Sequence, residues 1–348
     1  MRWLVLEPMD TMVIRDGRAF DAGLQSVART NVPSPGTLAG AIGAAYGAKP
    51  GAGMLREARG RDVPEQLLGP VPVVYGGGGW RARWPVPSDV VQDDGDPVPY
   101  RLTVTESQST DEVAHDLSGA VRALPVGAGE ALAGWWETAE LASYLTSGEV
   151  SGDVVSKPWR IERRVGLALD DNGAAAEGML YSAEHLRTAD RAGFAVCCLG
   201  GPEVELPETI PLGGRNRSAL VHELDSPPEL PAPAADAPDG RLLLYLATPG
   251  VFEDGWRPDL SIWPGAELVS AVVGDPQVIA AATAHRATGA VGNSRLMWAA
   301  PAGSVYYLKF PSREDALAAA SALSRTTLPQ VAEALATAGF GYTMTGSW

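Results

Sequence analysis

Cysteine is nearly absent from this chain, and lysine is almost as scarce. Of 348 residues only Cys197 and Cys198 are cysteines, side by side in an apolar run. Neighbours on a strand point to opposite faces, so the pair fits neither the usual disulfide nor a metal site, and a reducing, cytoplasmic setting is expected. Lysine occurs only as Lys49, Lys157 and Lys309, leaving arginine to supply the other 24 of 27 basic side chains. Genome composition alone could produce that bias. So could a need for bidentate phosphate contacts and base stacking, which suit a guanidinium. Positive charge is in deficit overall. A net charge of −15 excludes a wholesale nucleic-acid coat and leaves room only for a local basic groove or for binding assisted by partners. No apolar run approaches the roughly 18 residues that span a bilayer, so no membrane contact is expected. Met1–Glu7 meets an acid too early for a signal peptide and reads as a first strand.

Catalytic signatures are missing too. His115, His185, His222 and His285 show no metal-ligand spacing, and no Gly-x-Ser-x-Gly elbow is present. The glycine run 76–79 lacks the Gly-Lys-Ser/Thr of a phosphate-binding loop. Asp170-Asp171-Asn172-Gly173 reads as a turn rather than a metal pair. No metal and no cofactor is expected.

What is present is a basic, strand-rich stretch from Lys157 to Arg217. Lys157, Arg160, Arg163 and Arg164 open it, broken by Glu162. Val165–Asp170, Gly178–Tyr181 and Phe194–Leu199 read as strands, and Gly213-Gly214-Arg215-Asn216-Arg217 closes it. Strands carrying arginines beside a glycine loop are one way to hold an RNA backbone. On a strand, Ile161, Arg163 and Val165 share one face while Arg160, Glu162 and Arg164 share the other. If the charged face is open, Arg160 and Arg164 line a groove; the alternative is a solvated strand with an ion pair of small worth. Glycines let backbone N–H groups approach phosphate, with Arg215 and Arg217 adding charge-assisted hydrogen bonds. Arg15-Asp16-Gly17-Arg18 reads either as a hairpin turn with internal ion pairs or as a loop presenting Arg15 and Arg18 to an anion.

Around this stretch, Ser34 and Pro35 start a helix over about 36–47 whose glycines, Gly36, Gly40, Gly43 and Gly47, share a face that something must approach closely. Residues 50–156 read as an insertion, with a helix over Gly134–Thr146. Ser226–Gly240, rich in proline and alanine, reads as a linker. Beyond it come strands at Arg241–Thr248, Leu268–Val273 and Ser304–Phe310, a helix capped by Ser312, a helical run Leu328–Ala338 and a final strand from Gly341. The order predicts an α+β fold of two ferredoxin-like (RRM-like) β-α-β-β-α-β domains, residues 1–228 and 241–348, joined by 226–240, with the large insertion in the first.

Several segments together resemble the third RAMP subunit of the Cmr module, the crRNA 5′-tag-capping subunit of type III-B CRISPR effector complexes. They are Arg15–Phe20, Pro33–Gly40, Arg164–Asp170, Glu177–Tyr181, Leu212–Arg217, Thr248–Phe252 with Gly255-Trp256, Ala300–Tyr307, and the glycine-rich end Gly339-Phe340-Gly341 with Gly346-Ser347-Trp348. Ala19 stands where the family often has proline. The resemblance implies a non-catalytic subunit that grips the crRNA 5′ tag and docks on the large polymerase-like subunit and a neighbouring RAMP backbone subunit. The RNA-binding candidates are then Arg15, Arg18, Arg29, Arg160, Arg163, Arg164, Tyr181, Gly213, Gly214, Arg215 and Arg217, with Tyr181 as a base-stacking ring. The competing reading is a RAMP-type endoribonuclease that processes precursor crRNA with a histidine general base; a third is a structural bridge with incidental RNA contacts.

Overall fold

A computed structural model describes residues 1–14, 27–47, 63–93, 95, 98–106, 123–169, 172–214, 217–281 and 295–348. In chain order the main elements are β1 (Arg2–Pro8), α1 (Pro35–Ala45), β2 (Gln66–Gly76), β3 (Gly79–Ala82), α2 (Thr138–Ser147), β4 (Trp159–Leu169), β5 (Ala175–Thr188), β6 (Ala192–Leu199), β7 (Thr209–Pro211) and β8 (Ser218–Leu224). The second half adds β9 (Arg241–Leu246), β10 (Glu267–Val272), β11 (Gln277–Ala281), β12 (Arg295–Ala299), β13 (Val305–Lys309), α3 (Arg313–Leu323), α4 (Glu333–Ala338) and β14 (Thr343–Gly346).

Two antiparallel sheets organise the chain. The first runs β7-β8-β1-β6-β2-β3 and the second β10-β13-β9-β14. Both are buried on both sides, which is why Phe194–Cys197 and Leu242–Leu246 are continuous apolar runs rather than alternating ones. One face of the first sheet (Leu4, Leu6, Phe194, Val196, Cys198) packs with Leu38 and Ile42 of α1 and Leu335 and Ala338 of α4. Its other face (Trp3, Val5, Ala195, Cys197) shares a core with Leu243, Tyr245, Tyr307 and Met344 of the second sheet. The outer face of the second sheet (Leu242, Leu244, Tyr306, Leu308) is covered by Ala316, Ala320 and Leu323 of α3. The result is four layers, helix–sheet–sheet–helix. As expected, Cys197 and Cys198 point to opposite faces, both buried and unpaired.

Several expectations shift at this stage. Residues 66–82, inside the span read as an insertion, are strands of the first sheet: β2 lies between β6 and β3. Proline is ordinarily confined to edge strands or bulges, yet β2 carries Pro70 and Pro72. Here Pro70 falls in a register irregularity opposite Ala195–Cys197, while Pro72 pairs with Phe194. Trp135-Trp136 form a short strand with Trp84-Pro85, so α2 begins only at Thr138. The run from Leu328 is helical only over Glu333–Ala338. Of the glycine face of α1, a side chain at Gly36 would meet the ring of Phe340 at 3.6 Å, whereas one at Gly40 would meet nothing within 4 Å. Capping follows the sequence: the Ser34 hydroxyl accepts from the Thr37 N–H at 3.3 Å, and the Ser312 hydroxyl from the Asp315 N–H at 3.1 Å.

The predicted linker is a pinned strap. Arg325 donates to the carbonyls of Leu230 and Pro231, the Ala234 N–H donates to the Thr345 hydroxyl at 3.1 Å, and Ala237 is buried. A second tie is polar and centred on the buried Asp89. Asp89 accepts from the hydroxyls of Tyr144 (2.7 Å) and Tyr307 and from Arg101 Nε at 3.2 Å. Arg101 also donates to the Ser347 carbonyl and lies over both tyrosine rings. Burial, with Asp89 alongside, pushes both phenols far above their ordinary range, so they remain donors.

Removing one partner of a buried ion pair strands the other and costs about 3–5 kcal/mol. Asp89→Ala should therefore lower the urea midpoint substantially, while Asp236→Ala, which breaks an exposed pair with Arg313, should leave it within error. Equal midpoints for the two variants would show that the buried cluster is not a tie.

Candidate nucleic-acid interface

β4 and β5 form one long antiparallel ribbon, 159–169 against 175–188, turning through Asn172-Gly173. Its base packs into the first core through Trp159 and Leu186. Val27 and Ala28 add a short parallel pairing to β5 at Ser182 and Ala183. The exposed face is the apolar one: Ile161, Val165, Leu167, Leu169 and Leu180 are 43–71% exposed. The open charged face considered from the sequence is half-buried instead, turned toward the bend after β1. There Met12 pairs with Leu186, and the buried His185 ring lies 3.0 Å from the Thr11 hydroxyl.

On that inward face three arginines, from two strands and the turn before β8, meet two carboxylates. Glu162 accepts from Arg187 Nε at 2.5 Å and from Arg164 at 2.8 Å. Asp10 lies 3.9 Å from Arg164, 3.6 Å from Arg187, and in contact with Arg217. Hydrogen bonds from Arg187 and Arg164 draw the Glu162 carboxyl down to about 2. The Thr11 N–H, with Arg217, Arg164 and Arg187, holds Asp10 below the usual carboxylate range against some desolvation. Beside the cluster opens a groove of about 770 Å³, lined among others by Lys157, Trp159, Arg160, Arg187 and Arg191 as well as Glu7, Asp10 and Asp190.

Of the residues picked from the sequence, Arg164 and Arg217 are brought together, and Arg160 faces the groove. Arg163 stands on the outer face, 3.6 Å from Glu184. Arg29 is exposed on the segment beside β5. Tyr181 lies across its partner Gly166, where a Cβ would meet the ring at 2.4 Å. The glycine turn does not present both N–H groups outward: Gly214 N–H donates to the Val13 carbonyl at 2.8 Å, and Gly213, at φ 87°, packs on the same segment. Its role in the structure is to seat Arg217 against Asp10. Arg15, Arg18 and Arg215 lie outside the described residues. The described residues nearest to them in sequence end at Ile14 and Gly214, and the Gly214 N–H is bonded to the Val13 carbonyl.

Two members of the cluster, Arg187 and Asp10, were missed. Extending the Leu169–Ala175 register along the ribbon would set Arg187 opposite Lys157, on the outer face. A register shift between Leu167 and Leu169 sets it opposite Arg160 and turns it inward. Asp10 follows the proline that ends β1, and no local pattern marks it. Among the described residues no group of three or more His, Cys, Asp or Glu side chains could hold a metal ion, and no helix is long and apolar enough to cross a membrane.

A family model described as CRISPR-associated protein (Cas_Cmr3) matches residues 4–348. The chain belongs to the Cas_Cmr3 family. Solved structures similar to this family member include a chain from "Cryo-EM structure of the Type III-B Cmr-beta bound to cognate target RNA", at TM-score 0.50 and 13% identity, covering 88% of this chain and 86% of that one. A second state of that assembly, with AMPPnP, gives TM-score 0.49 at 11% identity, with the same coverage. A chain of the "Csm3-Csm4 subcomplex in the type III-A CRISPR-Cas interference complex" gives 0.36 at 11%, covering 90% and 94%. At 13% identity the first likeness is one of fold. No curated protein sequence matches.

Glu162, ordinarily near 4.5 and drawn to about 2 in the folded chain, contributes stability that is present above pH 4.5 and lost as pH falls toward 2. Glu162→Gln should therefore melt below wild type at pH 7, with the gap closing between pH 4.5 and 2. Thermal melts at pH 7, 4 and 3 check this. A gap that stays constant on acidification would mean that the ion pairs are not its source.

Proposed function

We propose that this chain is a non-catalytic RNA-binding subunit of a type III-B CRISPR effector, gripping the 5′ tag of the crRNA and bridging the large polymerase-like subunit to a neighbouring RAMP backbone subunit. The observation that carries this is the convergence of Arg164, Arg187 and Arg217 beside a groove lined by Lys157, Arg160 and Arg191, in a chain of net charge −15. Family membership supports the CRISPR setting. Arg15, Arg18 and Arg215 belong to the same grip in this reading, since Val13 and Gly214, close to them in sequence, are hydrogen-bonded to each other.

The two-domain reading, 1–228 and 241–348, takes the form of two ferredoxin-like units. Number the strands of each unit in chain order, counting β1, β2, β6 and β8 in the first and β9, β10, β13 and β14 in the second. Both sheets then run 4-1-3-2. Among the described residues, the first unit has α1 between its first two strands and α2 between its second and third but no helix between its last two, while the second has helices only between its last two. A cytoplasmic location accords with the reduced, buried cysteines.

The endoribonuclease alternative needs a histidine with open access to a 2′-OH. His185 is buried, and His222 Nε2 lies 2.7 Å from Glu7. The purified chain should not cleave repeat RNA, with or without divalent ions. Cleavage that survives repurification and is lost on replacing any of the four histidines by alanine would establish the enzyme reading instead.

Hydrogen bonds to charged groups contribute roughly 1.5–3 kcal/mol each. Arg164→Ala with Arg217→Ala should therefore weaken crRNA loading by on the order of a hundredfold. The log–log salt dependence should flatten by roughly 0.7 per lost phosphate contact. Arg313→Ala, on an exposed pair elsewhere, is the control. The measurement is crRNA retention in reconstituted complexes at two salt concentrations, with folding checked by thermal melt. Wild-type retention by a folded, assembled double variant would move the grip elsewhere and favour the structural bridge.

A further inference from the structure

The arginine cluster is already occupied, and its occupant is an acid of the chain itself. Asp10 sits on the bend that follows β1, held by the Met9 N–H to Ser218 carbonyl bond at 3.0 Å. Guanidiniums from β4 (Arg164), β5 (Arg187) and the turn before β8 (Arg217) surround it. Three cations from separate segments would repel one another without an anion between them. The two carboxylates present are not equivalent. Glu162 is tied closely to Arg164 and Arg187 on the ribbon itself. Asp10 touches Arg217 but stands 3.6 Å or more from the other two arginines, its side chain is 42% exposed, and it lines the groove. The Nε of Arg217 is buried with no hydrogen-bond partner among the described residues, so Asp10 leaves part of the cluster's donor capacity unused.

We infer that Asp10 is a displaceable counter-anion: it keeps Arg164, Arg187 and Arg217 poised around the position of one RNA backbone phosphate and holds down the affinity of that position for unrelated RNA. This rests on the RNA-binding reading above. A phosphodiester entering from the groove offers two anionic oxygens where the carboxylate offers two, and it can take up the unused Arg217 donor. Without RNA the carboxylate prevents mutual repulsion; with RNA in place it is a like charge beside the phosphate. Asp10 thereby sets how large an advantage a correctly anchored strand must have over a stray one.

The test uses the full-length chain, with a short oligouridine as the probe and binding followed by anisotropy at low and at physiological salt. Asp10→Asn keeps the size and a carbonyl oxygen but removes the charge. It should bind oligouridine about tenfold tighter at low salt, as expected for one like charge removed near a partly screened phosphate. Its log–log salt slope should steepen by roughly 0.7. Adding Arg217→Ala should abolish the gain. Asp10→Ser is required to show the same direction, so that a poorly folded asparagine variant does not decide the matter. Affinity equal to or below wild type in variants that melt normally overturns the inference and leaves Asp10 a fixed ion-pair partner. The two readings fail separately. Tag preference in the assembled complex without a gain in Asp10→Asn removes the counter-anion role alone. A gain without tag preference removes the tag-gripping function and leaves the anion position standing.

Discussion

A sheet buried on both faces needs two covers, and the arrangement of this chain follows from how those covers are supplied. The first sheet receives α1 and α4 on one side and the second sheet on the other, while the second sheet takes α3 on its outer face. Among the described residues no helix lies between β6 and β8, and α4 from the second half joins α1 in covering that side of the first sheet. The fit there is close: Gly339, at φ 102°, passes so near the Gly69 carbonyl that a Cβ would lie 2.2 Å from it. Within the seam the buried Asp89 side chain has its polar partners supplied by Tyr144, Tyr307 and Arg101, which come from both halves.

With the core so organised, the ribbon of β4 and β5 is left as an arm whose base is buried and whose inner face is half-buried. Its inner face inherits the bend after β1 and the turn before β8 as neighbours, and this brings scattered arginines to one place. The cluster carries three arginines against two acids, a small positive excess on a strongly acidic molecule. Screening over about 8–10 Å at physiological salt makes such a local excess matter to a strand in contact and little to one at a distance.

The layers were legible wherever composition alone decides structure. Leu242–Leu246 announces a strand buried on both sides, and Ser34-Pro35 and Ser312 announce helix starts that the hydrogen bonds bear out. Features that depend on distant pairing were not legible. The prolines of β2 hide a central strand because proline lacks the N–H such a strand normally donates, and only the pairing with β6 reveals where the register shifts at Gly69-Pro70 to accommodate one of them. Arg164 and Arg217 could be picked from local charge, but Arg187 could not, because a register shift near the ribbon's tip decides its side. Nor could Asp10, whose three partners are between 154 and 207 residues away along the sequence. Which face of the ribbon is exposed was left open by the sequence for the same reason: alternation fixes which residues share a face, not which face the rest of the molecule covers.

The placement of α4 has a consequence for biosynthesis. Every strand of the first sheet has been made by residue 224, yet the helix that completes its cover spans residues 333–338. At translation rates of about 5–20 residues per second, that interval is on the order of 5–20 s. During it Leu4, Leu6 and Phe194 have α1 above them but not Leu335, Ala338 or Phe340. The nascent chain therefore offers the ribosome exit region a nearly finished sheet with a patch of bare apolar surface, a natural landing place for a chaperone until the last residues arrive.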